Sequence, residues 1–363
     1  MTAPPHAPSE QLTAARVPRD VVHAIERLHR PIFISHVVPD ADALGAMLSL
    51  ARATASAVRH ASVAIPEGSV SQRLRFLVDW SAVAVAQDAD FDKADSFVVL
   101  DTAGLERCNV GADRKQGDWI RSRPLINIDH HGTNTRFGSE NWIEEHASST
   151  CELVFHLVRA SRLPLDAVTA SLLYAGIQTD TLGFTLPTTS ASALHAAAAL
   201  VEAGSNVTEL GERLCRSLRR SEFDLLRIVY ANTQVIADGR IAFSHVSYDE
   251  ITQSGCTAAD IDDQINVPRA LDGVQLAMLF SEGRKGKTRI NFRGSGDVTV
   301  VELAAEFGGG GHRQAAGAVL DQPLTQALDR VVPRAVEHVK SFRRSNMTEP
   351  RPPALERAKR GQG

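Results

Sequence analysis

Short apolar runs alternate with longer amphipathic segments through the first half of the chain. The runs PIFISH (31–36), ASVAIP (61–66), SFVVLD (96–101) and PLINID (124–129) predict four β-strands. Segments between and after them, such as DALGAMLSLARATASA, predict helices. Strands that are apolar throughout and are joined by helices are typical of a parallel sheet with helices on both faces. We therefore predict an α/β domain over residues 18–190.

The pattern changes after residue 190. An alanine-rich stretch, SASALHAAAALVEAG, opens a helical connector that we predict over residues 191–232. Beyond it, a hairpin signal at Asp238–Gly239 and two strand-like runs in VQLAMLFSEGRKGKTRINFRGSG predict a smaller α+β domain over residues 233–343. The two ends, residues 1–17 and 344–363, are predicted to be a disordered lead and a disordered tail.

Composition and charge limit the possible functions. The 363 residues are 43% hydrophobic and 23% charged, which fits two globular domains. The net charge of −4 gives no global basic field for long nucleic acids, whereas a local basic pocket would suffice for a short anion. The four cysteines form no CxxC motif and are expected to be reduced in a cytoplasmic protein. We expect no membrane span, because no run of about 18 apolar residues occurs.

Acidic and imidazole side chains collect where the predicted strands end, and a further carboxylate ends a helix. They are His36, Asp40 and Asp42 after the first strand, Asp101 after the third, Asp129, His130 and His131 after the fourth, and Asp180 at the helix end. In an open parallel sheet, ligands bind at the carboxyl ends of the strands, so we expect these groups to converge. A lone Asp at such a place more often caps a helix or forms a turn.

So many carboxylates in one crevice require cations to offset their mutual repulsion. Carboxylate and imidazole ligands without thiolates suit manganese, and also iron, cobalt or zinc. The number of candidate ligands exceeds what one ion needs and predicts two divalent metal ions that share a bridging carboxylate.

Five segments resemble the motifs of one family. SHVVPDADALGAMLSL, VVLDTAG, NIDHHGTN and GIQTDTLGF resemble, in order, the four motifs of the DHH phosphoesterases, and EFGGGGHRQAAGAVL (306–320) resembles the glycine-rich signature of their associated C-terminal domain. The resemblance spans about residues 20–340 and is nearest to the nano-RNase and nucleotide-phosphatase branch. It implies a DHH catalytic domain, a smaller DHH-associated substrate-binding domain and an active site in the cleft between them. Where the family commonly has a glycine between the two acidic residues of the first motif, this chain has Ala41, a change that we expect to leave the metals undisturbed.

The resemblance also implies a role for each motif residue. The first metal ion would be held by His36, Asp40 and Asp101, and the second by Asp42, Asp101, His130 and Asp180. Asp101 would bridge the two ions. Asp129 would orient the neighbouring imidazole of the ligand His130, while His131 would face the substrate phosphate. Asp101, Asp129 and His131 are thus the expected catalytic residues, and manganese is the expected metal.

The second domain is expected to select the substrate. Gly309, Gly310 and Gly311 would offer successive backbone N–H groups to a phosphate, and His312 would hydrogen-bond a phosphate or lie against a base. Arg289 and Arg293 alternate on one strand face and would clamp a phosphate. The alternatives are a flexible turn for the glycines and a solvated edge strand for the arginines.

These features predict a two-metal phosphoesterase that hydrolyses very short RNA or DNA oligonucleotides, such as the linear dinucleotide pApA, to nucleoside monophosphates. The resemblance adds 3′-phosphoadenosine 5′-phosphate and cyclic di-AMP as further candidate substrates, and a homodimer as a candidate assembly. Two alternatives stay open: a manganese inorganic pyrophosphatase of the same superfamily, and a non-catalytic nucleotide sensor that has kept the fold.

Overall fold

A computed structural model describes residues 17–58, 60–65, 69–81, 83–86, 88–108, 120, 122–257 and 260–342. The chain forms two compact units, Met1–Ser217 and Leu218–Gly363. The helices expected as a connector over 191–232 divide between these units rather than forming a segment of their own. Apart from residue 17, the predicted disordered lead and tail lie outside the described residues.

A parallel five-stranded sheet forms the centre of the first unit. Its strands are β1 (Pro31–Ile34), β2 (Ser62–Ala64), β3 (Ser96–Leu100), β4 (Leu125–Asp129) and β5 (Glu140–Ile143). They lie in the order β2-β1-β3-β4-β5. The four predicted strands and the α/β class are confirmed. β5 was missed because ENWI is short and only its tryptophan is buried, as befits an edge strand.

Seven α-helices of the described residues accompany this sheet. They are α1 (Arg19–Glu26), α2 (Ala41–Thr54), α3 (Asp88–Lys93), α4 (Thr150–Ala160), α5 (Ala167–Asp180), α6 (Ala191–Glu202) and α7 (Val207–Gly211), with 3₁₀ turns at Arg75–Leu77 and Leu105–Arg107 and a π-helical turn at Glu212–Arg216. Successive strand residues point to opposite faces, so Phe33 packs in one core with α2, α4 and α5, and Ile32 packs in another with Phe91 of α3. Apolar cores on both faces confirm the doubly covered sheet.

Local signals position the helices that carry the predicted site. Asp40 caps α2 by accepting a hydrogen bond from the N–H of Ala43 at 2.9 Å. Ser149 caps α4 in the same way, accepting from the N–H of Glu152 at 3.1 Å. These caps start α2 directly after the first cluster of candidate ligands and start α4 beside it.

The second unit contains a mixed six-stranded sheet. Its strands are β6 (Gln234–Ile236), β7 (Ile241–Val246), β8 (Leu276–Arg284), β9 (Lys287–Gly294), β10 (Gly310–His312) and β11 (Ala315–Leu320), in the order β10-β11-β9-β8-β7-β6. Only β7 and β8 pair in parallel. The helices are α8 (Arg220–Ala231), α9 (Tyr248–Ser254), α10 (Asn266–Arg269), α11 (Val301–Ala305) and α12 (Leu324–Ser341), with a 3₁₀ turn at Asp262–Ile265.

The predicted α+β class and hairpin of the second unit are confirmed. Ala237, Asp238 and Gly239 adopt φ angles of 54°, 54° and 83° between the antiparallel strands β6 and β7. The glycine run predicted as a phosphate-binding loop instead enters strand β10 at Gly310. Within the described residues, no helix has both the length and the apolar character needed to cross a bilayer.

Candidate metal centre

The candidate ligands lie at the carboxyl edge of the parallel sheet, around its topological switch point. With the strand order β2-β1-β3-β4-β5, the connections after β1 and β3 leave in opposite directions. His36, Asp40 and Asp42 follow β1, Asp101 follows β3, and the Asp129 triplet ends β4. Sheets with this order bind their ligands at the crevice between β1 and β3.

The structure brings the six predicted metal ligands together in two groups. In one group the ligand atoms of His36, Asp40 and Asp101 all lie within 4.8 Å of one another, and in the other those of Asp42, His130 and Asp180 do. A third set, Asp101, His130 and His131, meets the same criterion and links the two groups. Four sequence-distant segments therefore converge as predicted.

Asp101 lies between the two groups, with one carboxylate oxygen directed at each. Its Oδ2 is 3.7 Å from Nε2 of His36, and its Oδ1 is 3.6 Å from Nε2 of His130. Asp101 is buried and has a φ of 56°, in the left-handed region that a residue with a Cβ rarely adopts. Such strain persists where the surroundings over-determine it, commonly at functional sites. Its N–H donates to the carbonyl of Ile128 at 3.0 Å, which anchors this backbone to β4.

Asp42 is fully buried and is held by the first turn of α4. Its Oδ2 accepts from the N–H of Thr150 at 2.7 Å, and its Oδ1 accepts from the N–H of Cys151 at 2.8 Å. Its Oδ2 also lies 4.0 Å from Nε2 of His130, which is 3.4 Å from Oδ2 of Asp180. The second group is thus assembled by a helix N-terminus, one of the environments that stabilise a carboxylate.

Asp129 orients a different imidazole from the one expected. Its Oδ1 lies 2.6 Å from Nδ1 of His131 and also accepts from the N–H of His130 at 2.8 Å. The ring of His130 instead has its Nδ1 3.4 Å from the carbonyl oxygen of Ala147. The expectation that Asp129 orients the imidazole of the ligand His130 is therefore wrong, because the contact is made with His131.

Sequence reasoning missed two residues that support the carboxylates. Asn134 donates through Nδ2 both to Oδ2 of Asp129 at 2.7 Å and to the carbonyl of Thr102 at 2.9 Å. Asn134 is the last residue of the motif NIDHHGTN, so its place in the motif was a signal that it belongs to the site. Thr150 donates through Oγ1 to Oδ1 of Asp101 at 3.0 Å, and its segment was read only as a helix start.

Burial and mutual repulsion act on the carboxylates of both groups. Burial, reinforced by neighbouring carboxylates, raises the pKa of Asp42 and of Asp180 well above the ordinary value. Burial also acts to raise the pKa of Asp101, but the hydrogen bond and charges of the surrounding histidines outweigh it and lower that pKa. Carboxylates crowded in this way, with imidazole nitrogens among them, form a donor set that fits divalent metal ions.

His131 can present a positive charge at the edge of the centre. Burial acts to lower its pKa, but the hydrogen bond with Asp129 and the charges of Asp101 and Asp129 outweigh it and raise the pKa to about 9. Its ring packs edge-on against that of His130, with the centroids 4.7 Å apart. A cationic ring fixed beside clustered ligands is suited to an anionic group such as a phosphate.

In the second unit, the glycines of GGGGH differ in what the fold requires of them. A Cβ at Gly309 would overlap the carbonyl oxygen of Gly317, and one at Gly311 would lie 2.5 Å from that of Ala315, whereas one at Gly310 would meet nothing within 4 Å. The N–H of Gly309 already donates to the carbonyl of a residue in α11 at 2.9 Å, so it is not part of an open row of phosphate donors.

The predicted arginines lie on the sheet face opposite the core that α12 covers. Ile290 and Phe292 are buried in that core, while Arg289 is exposed and Arg293 is half-buried on the other face. On this face Gly317 pairs with Asn291 in one neighbouring strand and with Gly310 in the other. The arginines therefore flank Asn291, beside which Gly317 and Gly310 carry no side chain. The backbone of His312 belongs to β10, and its side chain lies outside the described part of the structure.

Comparisons with known proteins agree with this geometry. Residues 31–177 match the model of the DHH family, N-terminal domain, and residues 238–342 match the DHHA1 domain. The bifunctional oligoribonuclease and PAP phosphatase NrnA of Thermus thermophilus is 31% identical over 317 residues, covering 86% of this chain and 92% of that protein. The protein of the same name from Bacillus subtilis is 27% identical over 305 residues, covering 82% of this chain and 92% of that protein.

A solved structure supports the fold as well. An exopolyphosphatase-related protein from Bacteroides fragilis matches with a TM-score of 0.79 at 24% identity, covering 89% of this chain and 97% of that one. The two matched domains, the ordered motifs and the identity over most of the chain all agree. This chain belongs to the DHH family of phosphoesterases, with an N-terminal DHH domain and a C-terminal DHHA1 domain.

Proposed function

We propose that this protein is a two-metal phosphodiesterase that hydrolyses very short oligonucleotides, such as linear dinucleotides, to nucleoside monophosphates. The observation that carries the proposal is the convergence of six carboxylate and imidazole ligands into two groups joined by Asp101. The name of the Thermus thermophilus relative, an oligoribonuclease and PAP phosphatase, supports this substrate class. We include 3′-phosphoadenosine 5′-phosphate and cyclic di-AMP as candidate substrates because each carries a phosphoester at a nucleotide.

In this scheme the two ligand groups hold two divalent ions, with manganese as our proposed metal. When bound, such ions activate water and neutralise developing charge on phosphoryl oxygens. Asp101 positions the two ions relative to each other, since its two oxygens face different groups. His131, held by Asp129, would donate a hydrogen bond to a phosphoryl oxygen and stabilise its charge.

The second unit supplies substrate selection in this proposal, as the family resemblance implies. Arg289 and Arg293 bind a terminal phosphate of the substrate, and Gly310 leaves room for it on the sheet face. Recognition of a terminal phosphate favours short substrates, because a short strand carries one such terminus for every few phosphodiester bonds. The family resemblance also supports a cytoplasmic homodimer, which sedimentation equilibrium tests.

An assay with purified protein and Mn²⁺ tests the proposal. The substrates are pApA, RNA and DNA 5-mers and 20-mers, 3′-phosphoadenosine 5′-phosphate, cyclic di-AMP and pyrophosphate. We expect rapid release of AMP from pApA, much slower release from the 20-mers and none from pyrophosphate. Asp101→Ala should abolish turnover while the far-UV circular dichroism stays unchanged. Hydrolysis of pyrophosphate alone would instead identify a pyrophosphatase, and binding of pApA without cleavage would identify a sensor.

A pair of glycine variants tests the substrate face. Gly310→Ala adds a methyl group where the fold leaves open space, so we expect wild-type stability and a raised KM for pApA. Gly309→Ala, whose Cβ would overlap the backbone of β11, should destabilise the protein instead. An unchanged KM in Gly310→Ala would place the substrate elsewhere.

A further inference from the structure

Thr150 lies between the two carboxylates at the heart of the metal centre. It is the first residue of α4 and is fully buried. Its backbone N–H donates to Oδ2 of Asp42 at 2.7 Å, and its hydroxyl donates to Oδ1 of Asp101 at 3.0 Å. One residue therefore bonds a carboxylate from each strand end that flanks the switch point.

The hydroxyl of Thr150 fixes a torsion that Asp101 would otherwise leave loosely defined. The terminal torsion of an Asp side chain has a broad, roughly two-fold preference, so the backbone does not set the plane of the carboxylate. The hydroxyl contacts the same oxygen, Oδ1, that lies 3.6 Å from Nε2 of His130, while Oδ2 lies 3.7 Å from Nε2 of His36. Holding Oδ1 in this direction keeps one oxygen aimed at each ligand group.

The helix does not need this hydroxyl for its own stability. Ser149 is the N-cap of α4 and satisfies the N–H of Glu152 at 3.1 Å. A β-branched residue is, moreover, no better a helix former than the alternatives at this position. The hydroxyl of Thr150 is thus not used to cap α4, and it bonds Asp101 in the candidate metal centre instead.

We propose that Thr150 is a positioning residue whose hydroxyl holds Asp101 in the orientation that lets it serve both metal ions. Its amide, together with that of Cys151, holds Asp42, so α4 sets the relative placement of carboxylates from both ligand groups. This inference rests on the proposed two-metal function and assigns to α4 a role in it. The hydroxyl touches neither substrate nor reacting atoms, and it acts through Asp101.

Three variants separate positioning from packing. Thr150→Val keeps the shape and the backbone N–H but removes the donor, and Thr150→Ser keeps the donor but removes a methyl group. The control is Thr54→Val. Thr54 is equally buried in the same unit, but its hydroxyl donates within α2 to the carbonyl of Leu50 at 2.8 Å. It lies 12 residues, about 18 Å along the helix, from Asp42.

Mn²⁺ binding, followed by calorimetric titration without substrate, is the primary measurement. We expect two sites in the wild type and a loss of about 10- to 100-fold in affinity at one or both sites in Thr150→Val, the range typical for partners of metal ligands. The Mn²⁺ affinity of Thr150→Ser should stay within about 3-fold of the wild-type affinity. For pApA at saturating Mn²⁺, Thr150→Val should lower kcat with little change in KM, and Thr54→Val should change neither.

The outcomes are distinguishable. Wild-type Mn²⁺ affinity and kcat in Thr150→Val, or equal damage in Thr150→Ser and Thr150→Val, would overturn the positioning role. Weakened Mn²⁺ binding in Thr150→Val, combined with no hydrolysis of pApA by the wild type, would uphold that role and refute the proposed function. A wild type that binds no divalent metal refutes both. If Thr150→Val fails to fold, Thr150→Ala removes the same hydroxyl without placing a methyl group against Asp101.

Discussion

Gly176 of α5 offers a sharp test of how the metal centre is packed. A Cβ at this position would overlap Sγ of Cys151 and lie 2.6 Å from Oδ1 of Asp42, where ordinary contacts begin at 3.4 Å. The facing position on α2, Gly45, is equally tight, because its Cβ would lie 2.5 Å from the carbonyl oxygen of Leu172. Helices α2 and α5 therefore approach closely only because both positions lack a side chain.

The expected effect of Gly176→Ala follows from two opposing contributions. Inserting a methyl group into a packed core costs about 1–3 kcal/mol, while replacing Gly by Ala inside a helix gains about 1 kcal/mol. We expect a net loss of up to about 2 kcal/mol in the free energy of unfolding. The methyl group also displaces Asp42, which should weaken Mn²⁺ binding by about 10- to 100-fold, as other disturbances of ligand orientation do.

Urea unfolding and Mn²⁺ titration together measure both effects. The matched control is Gly211→Ala, because Gly211 is helical, with a φ of −61°, and has nothing within 4 Å of an added Cβ. That variant should be neutral or slightly more stable and should bind Mn²⁺ normally. The double variant Gly176→Ala with Cys151→Ala removes the overlap with Sγ but keeps the close contacts with Cβ of residue 151 and with Oδ1 of Asp42, so stability should recover only in part while Mn²⁺ affinity stays low. If Gly176→Ala has the same stability and Mn²⁺ affinity as Gly211→Ala, position 176 does not pack closely against Asp42.

Three further predictions concern the supporting residues. Asp129→Asn removes the negative charge beside His131 and turns one of two accepting oxygens into an NH2 donor, which must face either His131 or the amide of Asn134. The kcat for pApA should therefore fall by about 10- to 100-fold with Mn²⁺ affinity within a few-fold of the wild type, and unaltered kcat would contradict the role of Asp129. Glu152 has its pKa lowered from 4.5 to about 2, because hydrogen bonds from an imidazole and two hydroxyls outweigh the effect of burial. Because the pKa is lowered in the folded state, the charged carboxylate contributes stability on the order of 3 kcal/mol, which is complete above about pH 4.5 and is lost as the pH falls towards 2. In an acid titration, the free energy of unfolding of Glu152→Gln should therefore fall less steeply than that of the wild type. Asp166 both caps α5 and pairs with the half-exposed Arg52, so Asp166→Ala should cost about 1 kcal/mol or more in thermal unfolding, and Arg52→Ala less than about 1 kcal/mol.

The convergence of the candidate metal ligands could be predicted from the sequence because their placement depends on a rule about strands. Each of His36, Asp101 and His130 follows directly on an apolar run, and parallel strands end at one edge of a sheet. Thr150 could not be assigned in this way. Its contact with Asp101 depends on where α4 begins relative to β3, which is set by helix packing between residues 49 positions apart in the chain. The same holds for Gly176, whose role appears only when α5 packs against α2.

The misassigned partner of Asp129 has a different cause, since here the information was local. Side chains in an extended chain alternate between two sides, so residues i and i+2 point the same way and residue i+1 points away. This spacing lets Asp129 contact His131 just beyond β4, while Nε2 of His130 approaches Asp42 and Asp180. Period-two reasoning applied to the triplet favours the pair of Asp129 with His131 and leaves His130 as the candidate metal ligand. Each histidine of the motif therefore has its own neighbours: His131 pairs with Asp129, and His130 lies among the candidate ligands Asp42, Asp101 and Asp180.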